Sequence, residues 1–391
     1  MDAAGDLIAL RRALHADPEV GLDLPRTQEA VLAALDGLDL EIGTGRALSS
    51  VTAVLRGGRP GPTVLLRADM DALPVAEDTG LPYAATNGAM HACGHDLHTA
   101  GLVGAARLLH AGRDTLPGDV VLAFQPGEEG FGGGRVMLEE GLLDASGERP
   151  VAAYAIHVDS QFPAGRCTTR PGPVMAGASA LRITVTGTGG HAARPHAGVD
   201  AVPVAAEVVL ALQTFTARKL PATEPAVVSV TGIGTDSAAG NVLPRTVTLT
   251  LNVRTLSAAV LDRIRTELPP FVAGIGAAHG AAVETVFTPS YPVTVNDPAE
   301  TASVLHLFGP RAEVLPEPSM ASEDFAYVLE RVPGTLLFLG AAVGEGTPLH
   351  SPRAVFDDAV LAGQAATLAL LARARLARGS SIEAPDGEKL W

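Results

Sequence analysis

The sequence predicts an α/β protein in which a mostly parallel-sheet domain is interrupted by a smaller ferredoxin-like βαββαβ domain. Three observations lead there. The 391 residues exceed what one hydrophobic core usually serves, so two domains are expected. Helix and strand patterns alternate up to residue 176 and resume after residue 293. Between those points the order is strand, helix, strand, strand, helix, strand, which makes a small domain by itself. The expected division is 1–176 with 293–391 as one discontinuous α/β domain, and 177–292 as an insert.

The elements follow in order. Residues 5–16 and 26–36 have helical spacing, with Asp17-Pro18 as a break between them. Val51–Leu55 and Thr63–Leu66 read as adjacent strands, and His98–Ala111 as a helix with apolar residues recurring at three and four. Val120–Phe124 is a buried strand, Gly134–Glu140 a short helix and Val151–Val158 another strand, a rhythm that suggests helices on both faces of a parallel sheet. In the insert, Leu181–Thr186 alternates as a half-buried strand and Ala201–Ala217 is an amphipathic helix. Ala226–Thr231 and Val247–Val253 are strands, Ala258–His279 a helix and Val283–Phe287 a strand. Glu323–Glu330 (helix), Thr335–Leu339 (strand) and Val355–Leu376 (helix) return to the first pattern, and Gly379–Trp391 reads as a disordered tail.

Composition excludes several functions. A net charge of -15 disfavours nucleic acid and anionic membrane surfaces, which call for clustered Lys and Arg. The start, Met1 to Asp6, is acidic and unlike a signal peptide, and no stretch approaches the roughly 18 uninterrupted apolar residues of a spanning helix. Two cysteines, Cys93 and Cys167, make no disulfide scaffold, so a reducing cytoplasm is the expected compartment.

Chemistry concentrates in two strings. The first is His91-Ala92-Cys93-Gly94-His95-Asp96-Leu97-His98, three imidazoles and a thiol in eight residues. Thiolate and imidazole are common transition-metal ligands, and C-x-H spacing presents both across a glycine turn. Asp71 and Asp96 are the candidates to orient the imidazole from behind. The second string is Phe124-Gln125-Pro126-Gly127-Glu128-Glu129-Gly130, where two carboxylates follow a strand end. Adjacent like charges there call for a cation or a shared proton; one Glu as ligand and the other as base resolves the conflict. Each string is expected just after a strand, where ligand crevices form in open α/β sheets.

Other features are weaker. His157 and His350 are scattered, and spacing alone does not bring them to Cys93; His15, His110, His279 and His306 lie on helical stretches and read as structural. The run Gly130 to Arg135 lacks a nucleotide-binding glycine pattern, and two glutamates precede it. No G-x-S-x-G string occurs, and a cysteine-nucleophile hydrolase built on Cys93 would leave the glutamate pair unexplained.

Taken in order, the strings resemble the aminoacylase/carboxypeptidase group of dinuclear metallohydrolases. The resemblance is narrower to its amidohydrolase branch of hippurate and auxin-conjugate hydrolases. The matching strings are Arg67 to Pro74, His91 to His98, Gln125 to Glu129, Gly187 to Pro195, Asn241 to Pro244, Ser322-Glu323-Asp324-Phe325 and His350-Ser351-Pro352. The resemblance covers nearly the whole chain, from about Leu14 to Leu370. The chain departs from the pattern at Asp159-Ser160-Gln161 and Leu251-Asn252-Val253, positions that bear on acyl-group preference.

The resemblance implies that Cys93, His95, Glu129, His157 and His350 ligate two divalent ions, with Glu128 as general base. Soft Cys93 favours Zn, Mn, Co or Ni over Mg. It further implies a homodimer made by the insert, with His191 contacting substrate, and Asn241 and Arg254 holding a substrate carboxylate. The expected reaction is hydrolysis of N-acyl amino acids. A metallo-dipeptidase or carboxypeptidase of the same family, and a metal-binding paralogue without catalysis, are the alternatives.

Overall fold

Long apolar strands open the chain's larger sheet. In a computed structural model of the chain, which describes residues 3–378, Pro117–Gln125 runs inward to a fully buried end and Arg59–Asp69 is buried over its last seven residues. Continuous burial of this kind is the mark of a parallel strand covered on its faces. The tail Gly379–Trp391 lies outside the described residues.

The chain divides into two compact units. One comprises the residues up to Val174, then Val295–Glu317, then those from Asp324 onward; the other comprises Met175–Thr294 and Pro318–Glu323. The short segment Pro318–Glu323 therefore groups with the insert rather than with the α/β domain. The reason is local: the Ala176 N–H donates to the carbonyls of Ser319 (3.0 Å) and Ala321 (2.8 Å).

The first unit holds an eight-stranded sheet. Its centre is parallel, with strands Pro117–Gln125, Arg59–Asp69, Ala152–Pro163 and Gly334–Ala342 side by side. Val51–Leu55 is antiparallel to Pro117–Gln125, which thus separates it from Arg59–Asp69. Short strands Glu41–Thr44, Cys167–Thr169 and Ala312–Val314 complete the edges. Helices His95–Ala111 and Val360–Ala377 pack on each other and on Arg59–Asp69, and Ala3–Ala16 packs on both. Leu97, Leu361, Leu368 and Leu376 are buried between them, each contributing about 1.5–3 kcal/mol.

Two expected helices are shorter. Only Ala326–Leu329 is helical in the first, because the Asp324 carboxylate is engaged by Arg67, Gln125 and the Gly134 N–H. The last helix starts at Val360 instead of Val355, since Phe356 is buried in a bridge to Ala342. The helix Pro298–Phe308 was not anticipated, although Asp297 caps it through Ala299 and Glu300 and Pro298 occupies its first turn.

The second unit is an antiparallel four-stranded sheet in the order Ala226–Thr235, Thr246–Thr255, Gly177–Thr186, Ala282–Pro289, with helices Ala201–Lys219 and Ala258–Ala278. Both Ala201–Lys219 and Val360–Ala377 are long and apolar enough to cross a membrane by length and composition, although neither is an uninterrupted apolar run, since Glu207 and Gln213 break the first and Gln364 and Arg373 the second. Each instead buries an apolar stripe within its own unit: Val204, Val208, Leu212 and Phe215 in the first, Leu361, Leu368 and Leu371 in the second.

Candidate metal centre

The parallel strands of the first unit bring their carboxyl ends to one place. Asp69 pairs with Gln125, and His157 pairs with Phe338. His157 lies inside the strand Ala152–Pro163 rather than at its end, beyond the last pair (Arg67 with Ala155) made with Arg59–Asp69. Glu128 and Glu129 follow Pro117–Gln125 in a turn. The Cys93 string does not directly follow a strand; residues 70–90 intervene, and Gly94 opens the helix His95–Ala111. Gly94 has φ 85°, and a Cβ there would meet Val158 Cγ2 at 2.4 Å, so the turn that exposes Cys93 beside His95 calls for glycine.

Five side chains meet at this point. Cys93 Sγ is 3.4 Å from His157 Nε2 and 3.3 Å from His350 Nε2. His350 Nε2 is 3.4 Å from Glu129 Oε1, and His95 Nε2 is 4.0 Å from the same oxygen. Cys93, His95 and His157 form one compact triad of donors; Cys93, Glu129 and His350 form a second; His95, Glu128 and Glu129 a third. His350 arrives on a loop whose backbone donates to the Ala92 carbonyl at 3.0 Å, and it holds φ 64°, a sparsely populated region for a non-glycine residue.

The donors are prepared from behind. His95 Nδ1 donates to the Asp71 carbonyl (2.8 Å) and His157 Nδ1 to the Val158 carbonyl (2.7 Å), leaving both Nε2 atoms facing inward. Asp71 also receives the N–H groups of Glu128 (2.9 Å) and Glu129 (3.0 Å) on its two carboxylate oxygens. The Asp324 N–H donates to Glu128 Oε1 at 3.3 Å. His95 Nε2 and Glu129 Oε1 are buried without a hydrogen bond, a costly arrangement unless a cation completes it. A soft thiolate, three imidazole nitrogens and a carboxylate suit divalent transition metals, so the residues fit such ions.

Asp69, His95 and His98 also cluster, but His98 has no free lone pair. Its Nδ1 donates to Asp69 and its Nε2 accepts the Val158 N–H at 2.8 Å. A backbone N–H only donates, so the ring carries its proton on Nδ1.

Charge is balanced within the centre. Burial alone would raise the Cys93 thiol, yet His157 and His350 outweigh it and bring it down to about 6. Close contacts with Cys93 and Glu129 push His350 up to about 10. Burial opposes protonation of His95, but Asp69 and the contacts with Asp71 and Cys93 raise it well above the ordinary range. Burial, aided by neighbouring imidazoles, lowers His98 to about 4. Cys167 is buried elsewhere and raised to about 11.

Asp96 does not orient His95. Adjacent residues on a helix point about 100° apart, and Asp96 faces Arg11 (2.8 Å) and His15 (2.7 Å) instead. His15, read as structural, is buried between Asp96 and Glu77 (3.2 Å). Burial lowers its pKa, but the two carboxylates more than offset that. Sequence reasoning also passed over Asp69, Arg67 and Gln125, which form one buried hydrogen-bonded group with Asp324. The polar residues alternating at the strand end, Arg67, Asp69 and Asp71, with Gln125 opposite Asp69, were the signal that could have found them.

His191, Asn241 and Arg254 belong to the second unit. His191 is exposed in a two-stranded ribbon, opposite Val242, and the Asn241 carbonyl accepts the N–H of Ala192, so His191 and Asn241 lie beside each other on the two paired segments. Arg254 stands apart on the strand Thr246–Thr255, with Nε donating to Asn252 at 2.8 Å.

Comparison with known proteins matches residues 65–374 to Peptidase family M20/M25/M40. The chain belongs to this family. It is therefore a hydrolase of amide bonds. Among similar proteins, Thermostable carboxypeptidase 1 of Saccharolobus solfataricus is 36% identical over 375 residues, 94% of each chain. The N-acetyldiaminopimelate deacetylase of Leuconostoc mesenteroides is 36% identical over 367 residues, 91% of this chain and 94% of that one. The solved structure of the Bacillus subtilis YXEP protein, described as a dinuclear metal-binding peptidase of the M20 family, superposes with a TM-score of 0.84 at 30% identity. It covers 96% of this chain and 99% of its own.

Proposed function

We propose that this M20-family chain hydrolyses N-acyl amino acids, with Glu128 as general base and Cys93, His95, Glu129, His157 and His350 as ligands of two divalent transition-metal ions. The observation that carries this reading is the meeting of those five donors, with Glu128 in the same cluster and held by the Asp324 N–H. The dinuclear description of the YXEP protein supports two ions, and the Cys93 thiolate supports Zn, Mn, Co or Ni over Mg.

When bound, such ions acidify a water and polarise the amide carbonyl. Glu128 would take the proton of the water that adds to the carbonyl carbon and deliver it to the nitrogen as the C–N bond breaks, so that the amine leaves neutral. Asp71 keeps the Glu128–Glu129 turn in place, so the base and the ligand carboxylate hold fixed positions. His191 is proposed to donate to the developing oxyanion, a contact typically worth about 3 kcal/mol. Asn241 and Arg254 are proposed to hold the amino-acid carboxylate. These three roles rest on the family resemblance of their strings.

The insert is proposed to make a homodimer. Its sheet has an open edge at Ala226–Thr235, where Val227 and Ile233 are exposed, which supports that role. Two unpaired cysteines, one of them a ligand, suit a reducing cytoplasm.

The name of Thermostable carboxypeptidase 1 favours a second reading, release of a C-terminal residue from a peptide. Both reactions break an amide C–N bond. A screen of the metal-reconstituted protein against N-acetyl amino acids, N-benzoyl amino acids and dipeptides, scored by product identity, separates them. Turnover confined to dipeptides would replace the N-acyl reading with the peptidase one. Absence of turnover across the panel in metal-loaded protein would favour a non-catalytic metal-binding paralogue.

A further inference from the structure

His98 is the third imidazole of the Cys93 string and has no part in the ligand set above. It is 2% exposed, stacked on His95 (centroids 5.3 Å, 30° between planes) and edge-on to His157 (4.9 Å, 64°). Both ring nitrogens are spent, Nδ1 on Asp69 and Nε2 on the Val158 N–H. Asp69 is itself held by Arg67 at 2.6 Å, so the far side of the ring is anchored to a buried ion pair. Val158 has a second attachment, because its carbonyl accepts from His157 Nδ1. Pairing with the strand Arg59–Asp69 has already ended at Ala155, and the Val158 N–H is met by an imidazole instead of a neighbouring strand.

We infer that His98 is a positioning residue for the metal centre: by accepting the Val158 N–H it fixes the peptide that aims the His157 imidazole. The chain of contacts runs Arg67, Asp69, His98, the Val158 backbone, His157. Partners of this kind, one contact removed from the metal, typically change affinity about 10–100-fold when lost. The inference rests on the reading of His157 as a ligand.

Two substitutions divide the ring's two bonds. Glutamine places an acceptor near the Nε2 position, and asparagine places a donor near the Nδ1 position. Zinc affinity, measured by competition with a chromophoric chelator, is expected to fall at least about tenfold in His98→Asn and to stay within about threefold of the parent in His98→Gln. Equal losses in both variants, or no loss in His98→Asn, would overturn the inference. Should the asparagine variant fail to fold, histidine-selective nitrogen NMR of the unaltered protein decides. His98 is expected to carry its proton on Nδ1 alone, with and without zinc; a proton on Nε2 would overturn it. His157→Ala is the control for the underlying reading: if it binds zinc as the parent does, the ligand set is wrong, independently of what His98 does.

Discussion

The carboxylate of Asp71 accepts the backbone N–H of Glu129 at 3.0 Å, and its other oxygen takes the N–H of Glu128. Its own carbonyl receives His95 Nδ1. One residue thus ties the loop after Arg59–Asp69 to the glutamate turn and to the first imidazole of the centre.

Asp71→Asn keeps the shape but replaces one acceptor oxygen with an amide that faces an N–H donor. Hydrogen bonds to a charged group are worth about 1.5–3 kcal/mol, so the turn loses a comparable hold. Zinc affinity and kcat are both expected to fall about 10–100-fold. Metal titration with steady-state kinetics checks this; parental values for both would show that the contact does not organise the centre.

The paired charges predict proton release on metal binding. Cys93 lies near 6 and is thiolate at pH 7.5, so it gives up no proton. His350 lies near 10 and is protonated there, so it must lose one to become a ligand. His95, also raised, behaves likewise. Metal affinity should therefore rise with pH, and the His350 share of the proton release should fade as pH passes through about 10. The sign for stability is opposite. The raised His350 stabilises the metal-free protein fully below its unfolded pKa of about 6.5, and that contribution is lost as pH rises through about 10. Calorimetry of zinc binding in buffers of differing ionisation enthalpy measures the release directly; zero release at pH 7.5 would contradict the assignment.

The two cysteines should respond differently to alkylation. In chelator-treated protein Cys93 is expected to react with iodoacetamide before Cys167, whose thiol is held near 11. Added zinc should protect Cys93. Mass spectrometry of the labelled peptides checks the order. Activity that survives chelation but is lost on alkylation would restore Cys93 as a nucleophile.

What the sequence revealed depends on whether a residue's chemistry is visible without its neighbours. Three imidazoles beside a thiol, and two adjacent carboxylates at a strand end, carry an electrostatic cost that shows in the string itself. The βαββαβ order was legible for a related reason, since strand and helix periods differ and the elements are long. His157 and His350 were not legible from spacing, because parallel pairing and a loop contact bring them to Cys93 across 64 and 257 positions. Asp96 misled because sequence adjacency to His95 says nothing about direction on a helix. The buried anchoring of Arg67 and Asp69 to Asp324 was hidden, since a carboxylate 257 positions from Arg67 gives no sign in the sequence that it will share the guanidinium.

The division of labour between the two glutamates is tested most directly by Glu128→Gln, with metal content and turnover of an N-acyl amino acid measured on the same preparation. The expected result is two metal ions per chain, as in the parent, with kcat reduced about 10²–10⁴-fold. Parental turnover, or loss of metal along with activity, would contradict the assignment of Glu128 as the base and Glu129 as the ligand.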